Sequence, residues 1–333
     1  GTYKINVGNY IVTCDFTKVT DIGAATSTSL VTISGKTVTI GGKTFELTST
    51  AEGSIYCYGT SSAVTKIKIE NVAVTTDAVT YTPEDTAEIA FNASTGAITL
   101  SGIVSTAKSL NAKTYTTQGD DRDITFTFSK SDVTKIDDIT YTSTYRNTNV
   151  SVTADLITLE QGKLEVGTGS ESLTGKNYSV QSGEMTFKPQ NGSIFNVDGV
   201  EYTAKNSGGT LKITPTSVTV TKEFAIKLGD DAINLNGFTV TPSTSDVVFT
   251  YNADEKKFTD ISGEFTLTLD GTVNVDGITY NGSGSLTFTD SLITVDGAFD
   301  IGDDDESLSD KNFSFNANKN VTINLASGDS NVK

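Results

Sequence analysis

The sequence predicts an all-β, repeat-built protein, and three observations lead to that prediction. The 333-residue chain is rich in Thr, Val, Ile, Tyr and Phe and has only 4 prolines; β-branched and aromatic side chains favour pleated strands. Apolar and polar residues alternate with a period of two in many short segments, which puts one set of side chains inward and the Thr/Ser set outward. A short motif also recurs along the chain, as is typical of repeat architectures.

The recurring motif is clearest at 195–202 and 273–280, which share the pattern x-Asn-Val-Asp-Gly-aliphatic-x-Tyr. The Asp-Gly step supplies the positive-φ residues that tight hairpin turns require. Alignment on the aromatic position gives ten copies, spaced 24 to 40 residues apart with a mean of about 34. The aligned positions, which we call the anchors, are Tyr10, Phe45, Tyr81, Tyr115, Tyr141, Tyr178, Tyr202, Val240, Tyr280 and Phe313.

A second motif follows several anchors by 13 to 17 residues and predicts a further strand in each repeat. Its four copies alternate apolar residues with Thr, at 97–100, 156–159, 217–220 and 292–295. Similar alternation at 124–128 and 265–269 predicts a third strand in some repeats. Each unit therefore carries at least two strands joined by Gly, Asn, Asp or Ser turns.

Two architectures fit this pattern. In a β-solenoid (β-helix-like), neighbouring units bury each other's apolar stripe; the alternative is a string of two or three tandem β-sandwich domains. Continuous repetition without linkers favours the solenoid, whereas the irregular spacing favours the sandwiches. We predict an N-terminal strand and cap over 1–29, a repeat region of about 34 residues per unit over 30–315, and a C-terminal tail or assembly strand over 316–333.

The two motifs together resemble the stacked β-repeats of bacterial-type surface or secreted adhesin proteins. The resemblance rests on the [Val/Ile]-Asp-Gly-[Val/Ile]-x-Tyr units followed by Leu-x-[Ile/Val]-Thr units, and it spans most of the chain. It implies a role in attachment, filaments or cell-envelope structure. It brings no catalytic residues with it.

Composition excludes several classes of function. Only 24 basic residues stand against 41 acidic ones, for a net charge of -17, which argues against nucleic acid and anionic membranes as partners. The absence of histidine removes Ser-His-Asp and Cys-His catalysis and every His-ligated metal site. No apolar run approaches the roughly 20 residues of a membrane-spanning helix, so no membrane span is predicted.

An extracellular or cell-surface location is expected from the scarcity of Met, Cys and His and from a start at Gly1 that fits a processed, secreted protein. The only cysteines, Cys14 and Cys57, can form one disulfide in an oxidising compartment. The alternative is a pair of buried free thiols.

The densest acidic cluster suggests a calcium site with Asp300, Asp303, Asp305 and Glu306 as ligands, because calcium takes hard oxygen ligands. The alternative is a solvated acidic loop, since the spacing matches no known calcium loop. No other cofactor is predicted. Seven Asn-x-Ser/Thr sequons are candidates for glycosylation on surface loops, or are coincidental in so Asn- and Thr-rich a chain: Asn92, Asn149, Asn177, Asn191, Asn281, Asn312 and Asn320.

From these observations we expect an extracellular structural or adhesive protein, a cell-surface or filament-forming subunit rather than an enzyme. Its β ends predict self-association, head to tail or by strand addition. The alternative function is a carbohydrate-binding or polysaccharide-degrading β-helix protein, with a surface glycan as partner. Carboxylates alone can hydrolyse sugars, but no catalytic pair stands out in the sequence.

Overall fold

The computed structural model confirms the all-β, repeat-built prediction. It describes residues 2–7, 10–16, 31–34, 37–40, 42–47, 53–60, 63–228, 238–243, 246–252, 257–316 and 319–333. Within these ranges every regular element is a strand, and parallel bridges stack the strands as a β-solenoid. The chain divides into two compact units, Gly1–Leu164 and Glu165–Lys333.

The first unit contains the following strands in its described residues: β1 (Thr2–Val7), β2 (Tyr10–Phe16), β3 (Val31–Ser34), β4 (Thr37–Ile40), β5 (Lys43–Leu47), β6 (Ser54–Thr60), β7 (Ala63–Glu70), β8 (Val74–Thr76), β9 (Val79–Phe91), β10 (Ile98–Ala107), β11 (Thr114–Phe128), β12 (Val133–Ile136), β13 (Ile139–Ser143), β14 (Thr148–Val152) and β15 (Ile157–Gln161). Strand β16 (Lys163–Val166) includes the boundary between the units.

The second unit continues with these strands, again for the described residues: β17 (Asn177–Val180), β18 (Glu184–Phe187), β19 (Ile194–Val197), β20 (Val200–Ala204), β21 (Leu211–Thr214), β22 (Ser217–Val220), β23 (Phe224–Leu228), β24 (Phe238–Pro242), β25 (Val247–Asn252), β26 (Lys257–Ser262), β27 (Phe265–Val275), β28 (Ile278–Phe288), β29 (Ile293–Ile301), β30 (Phe313–Phe315) and β31 (Val321–Ile323).

The alternating segments form strands and the Asp-Gly steps form hairpin turns, as predicted. The four alternating segments of the second motif correspond to β22 and to the starts of β10, β15 and β29, each of which begins one residue after its segment does. The Asp-Gly steps at 198–199 and 276–277 close the β19–β20 and β27–β28 hairpins, and all four residues have positive φ. Both central residues of a type I′ turn need this conformation, which glycine and aspartate tolerate best.

The second unit contains two runs of antiparallel strands, and successive hairpins along the chain belong to one run and the other in turn. One run is β18–β21–β22–β25–β26 and the other is β19–β20–β23–β24–β27–β28–β29. Apolar side chains of the two runs contact each other: the Phe187 ring of the first run lies 5.1 Å from the Phe195 ring of the second. Alternating burial along each strand keeps one face in this core.

Parallel pairing stacks one coil on the next, and in every described pair but β2–β6 the offset in sequence is shorter than the anchor spacing. Partners in β10–β11, β11–β12, β17–β19, β29–β30 and β29–β31 are 17 to 22 residues apart in sequence, and those in β2–β6 are 43 apart. Consecutive anchors are further apart because a hairpin lies between them. Tyr115 pairs with Ile136 on the next coil, and the chain turns back through β13 before it reaches Tyr141.

The anchors whose side chains are described lie in the core. Phe45, Tyr81, Tyr115, Tyr141, Tyr178, Tyr202, Val240, Tyr280 and Phe313 are all buried. Tyr81 and Tyr115 also meet directly, with their hydroxyl oxygens 3.3 Å apart. Full burial of an aromatic side chain stabilises the fold by about 1.5–3 kcal/mol, so the anchors contribute strongly to the core.

Candidate functional site

A corner with one sequence pattern occurs three times where the chain passes from one coil to the next. The pattern is Ser-Leu-x-x-Lys-x-aromatic, at 109–115, 172–178 and 307–313. Its leucine is fully buried in each copy, and the lysine amide donates to the leucine carbonyl at 3.1 Å in each copy. The aromatic residue that ends each segment is one of the anchors, and the Ser-Leu pair at its start is the sequence signal that identifies the corner.

Each corner is held by a polar side chain from the following coil. The buried Leu110 amide donates to Asp132 at 2.8 Å, and the Leu308 amide donates to Asp329 at 3.1 Å. In the middle copy the Ser193 hydroxyl accepts from the Leu173 amide at 3.2 Å. A buried amide without an acceptor is costly, so this contact ties neighbouring coils together.

Other carboxylates join coils in the same way. Asp137 accepts from both the amide and the hydroxyl of Thr117, at 2.8 and 2.6 Å. Asp198 accepts from the Ser179 hydroxyl at 2.7 Å and from the Val180 amide at 3.2 Å. We call these contacts, with those at Asp132 and Asp329, the carboxylate caps.

The Asp329 cap shows the electrostatic consequence. Hydrogen bonds from the Ser307 hydroxyl, the Leu308 and Ala326 amides and the Ser309 hydroxyl lower the pKa of the Asp329 carboxyl below its usual value, against the opposing effect of desolvation. Donors stabilise the ionised form of an acid. The cap is therefore a charged acceptor at neutral pH.

The four predicted calcium ligands do not converge. Glu306 turns to Thr279, whose amide and hydroxyl both donate to it at 2.6 Å. Asp300 lies exposed in β29, and Asp303 accepts from the neighbouring Asp304 amide. Asp305 is exposed in the turn. Within the described residues, no group of three or more acidic or cysteine side chains is arranged to hold a metal ion, so the calcium site stays a prediction.

The two cysteines occupy opposed positions on parallel strands. Cys14 in β2 is the register partner of Cys57 in β6, and Cys57 is fully buried. Neighbouring strands lie about 4.8 Å apart, within the Cα separation that a disulfide spans. The bridge stays a prediction, now with a backbone register that permits it.

The seven sequons fall in two kinds of place. Asn92, Asn191, Asn312 and Asn320 lie in turns or loops, but Asn149, Asn177 and Asn281 lie within strands rather than on the expected loops. Asn149 is the least accessible of the three, because its Oδ1 atom is buried without a hydrogen-bond partner. Asn92 is exposed and accepts from the Ser94 and Thr95 amides in its turn.

A cleft of about 530 Å³ lies in the second unit beside the third corner. Its walls come from 261–265, 275–276, 288–293 and 309–312. Phe265 and Phe288 both line the cleft, and their rings stack with centroids 4.9 Å apart. Three carboxylates, Asp276, Asp290 and Asp310, line it together with one ammonium group, Lys311.

The last described coil has an open side. Strands β30 and β31 pair in parallel with β29, and the 330–333 segment bonds to the backbone of 310–313. Within the described residues no strand pairs with the outer side of this coil. Phe315 and Leu325 are 42% and 57% exposed beside it.

Comparison with known proteins gives no relative: no family model, no curated protein and no solved structure matches the chain. Among the described residues, no helix is long and apolar enough to cross a membrane.

Proposed function

We propose that this chain is an extracellular structural subunit that associates with further copies of itself through the outer side of its last coil. The observation that carries the proposal is that β31 pairs with β29 on one side and with no strand on its other side among the described residues. A strand with unpaired amides and carbonyls on one side is a template for another strand.

The orientation of β31 shows which of its backbone amides and carbonyls face away from β29 and are available to pair with a second copy. The Asn324 amide donates to the Ile301 carbonyl, and the Phe299 amide donates to the Asn320 carbonyl. Because backbone groups alternate sides along a strand, those of Val321 and Ile323 face away from β29. The exposed Phe315 and Leu325 add apolar surface that a second copy would cover.

The surface and composition fit a structural role outside the cell. The excess of acidic residues favours solubility, and the near absence of Met, Cys and His leaves few oxidisable groups. Adhesion would follow from many copies presented together, since multivalency raises avidity without new contacts.

The test compares two substitutions at one position. Val321→Pro removes an outward-facing amide without touching the bonds to β29, and proline is tolerated on edge strands. Val321→Thr keeps that amide and is the matched control. We expect light scattering after size exclusion to show a mass that rises with concentration for the wild type and for V321T, while V321P stays at 35.1 kDa. A wild-type mass of 35.1 kDa at every concentration would contradict the proposal.

The second candidate function is carbohydrate binding, and the cleft of the second unit favours it. Its volume lies within the range of ligand sites, and its hydroxyl, amide and carboxylate groups match the hydrogen-bonding groups of a sugar. A polysaccharide-degrading activity would need two carboxylates on either side of a glycosidic bond.

A further inference from the structure

We infer that the cleft of the second unit binds an amino-sugar oligosaccharide, a ligand that is both polyhydroxylated and cationic. This inference rests on the second candidate function, carbohydrate binding, and is independent of self-association.

The charge of the cleft selects a cationic ligand over an anionic one. Lys311 lies 3.8 Å from Asp276 and offsets that carboxylate. Asp290 and Asp310 have no ion pair within 4.0 Å among the described residues, and Asp310 accepts a hydrogen bond from the Asn331 side chain at 3.2 Å. Two uncompensated carboxylates in one concave site repel a uronic acid and attract an ammonium group.

The remaining groups favour a sugar as the carrier of that ammonium group. Thr289, Ser291 and Ser309 contribute hydroxyls and Asn312 contributes an amide to the lining. Leu292 is 37% exposed there, and it gives the C–H face of a sugar ring an apolar contact. The Thr289 and Ser309 hydroxyls already donate to Leu292 and Asp329, so they offer a ligand acceptor positions, which the hydroxyl groups of a sugar can use.

Of the three corners, only the third has an acidic residue, Asp310, at the turn position with positive φ. The second residue after Ser-Leu has positive φ in each corner and is Ala112, Gly175 or Asp310. Two of the corners therefore make this turn with Ala112 or Gly175, which have no polar side chain. The fold needs no carboxylate at this position, and the Asp310 carboxyl, which accepts one hydrogen bond from Asn331, keeps further acceptor positions for a ligand in the third copy.

The experiment is calorimetric titration of the full chain with three trisaccharides, under mildly acidic conditions in which sugar amines are protonated. The probes are glucosamine trimer (cationic), N-acetylglucosamine trimer (neutral) and galacturonic acid trimer (anionic). We expect the cationic trimer to bind most tightly and the anionic trimer not to bind. Asp310→Asn should weaken binding of the cationic trimer about tenfold, as expected for loss of one charge-assisted hydrogen bond.

Matched variants separate the possible outcomes. Asp304→Asn removes an exposed carboxylate outside the cleft and should change affinity less than twofold. Asp310→Asn keeps a residue that tolerates positive φ, so circular dichroism should match the wild type. Binding of the neutral trimer with equal or higher affinity would overturn the amino-sugar inference and leave carbohydrate binding standing. Binding of none of the three would overturn both, and equal losses in D310N and D304N would overturn the location.

Discussion

Removal of the Asp132 carboxylate is the sharpest test of the carboxylate caps. Asp132 is 3% exposed, and it accepts three hydrogen bonds of 2.8 Å, from the Ser109 hydroxyl and from the Leu110 and Ser129 amides. Asp132→Ala removes both acceptor oxygens, and with them all three hydrogen bonds, and leaves the Leu110 amide buried without a partner.

The magnitude follows from the contacts. A hydrogen bond to a charged group contributes about 1.5–3 kcal/mol, and an orphaned buried donor costs about 1–3 kcal/mol. Because water can reach part of the opened corner and such terms are not additive, we expect the free energy of unfolding of the first unit to fall by about 3–5 kcal/mol.

Denaturant unfolding followed by circular dichroism measures this change, and amide hydrogen exchange locates it. Asp121→Ala is the control, since Asp121 is also a carboxylate of the first unit but is exposed. The Leu110 and Ser129 amides should exchange faster in D132A and not in D121A. A loss below about 1 kcal/mol, equal in the two variants, would refute the view that the caps hold the coils together.

Three further predictions concern other contacts. Ala112 has φ of 57° at a corner, where glycine has no steric penalty, so Ala112→Gly should raise the unfolding free energy by about 1 kcal/mol in denaturant titration; a loss of stability would contradict this. Burial raises the pKa of Tyr81 to about 12 and also raises the pKa of Tyr115. Because the unfolded chain loses these protons first, the free energy of unfolding should fall as pH rises from 10 towards 12, and Tyr115→Phe should flatten that fall; the same slope in both proteins would count against it. If Cys14 and Cys57 are bridged, the oxidised protein should be lighter than the reduced one by two hydrogen masses and resist alkylation in denaturant; modification of both thiols without reductant would argue for buried free thiols.

The sequence predicted what depends on neighbouring residues. Period-two alternation located β22 at its observed bounds, Ser217–Val220, because burial of one face imposes that pattern. The Asp-Gly steps predicted two hairpins because few other residue pairs accept the required φ values.

What the sequence left undetermined depends on long-range stacking. The acceptor for the corner leucine amide is Asp132, Ser193 or Asp329. Because two residue types make this contact, no fixed sequence motif predicts it. Glu306 belongs by sequence to the acidic cluster around 300–306, yet it folds towards Thr279 because that residue offers two donors.

The cleft was also beyond prediction from sequence, because its walls come from turns that are separated along the chain. The acidic positions 276, 290 and 310 line one cavity, but nothing in their spacing relates them. Their proximity follows from the pairing of β27, β28, β29 and β30, which only the fold determines.

The measurement that tests the central claim most directly is negative-stain electron microscopy of the wild type and V321P at matched high concentration. Our account predicts that wild-type subunits join end to end through the last coil and that V321P, with the outward amide of β31 removed, gives single particles. Single particles in both samples, or joined particles of equal number in both, would contradict association through that coil.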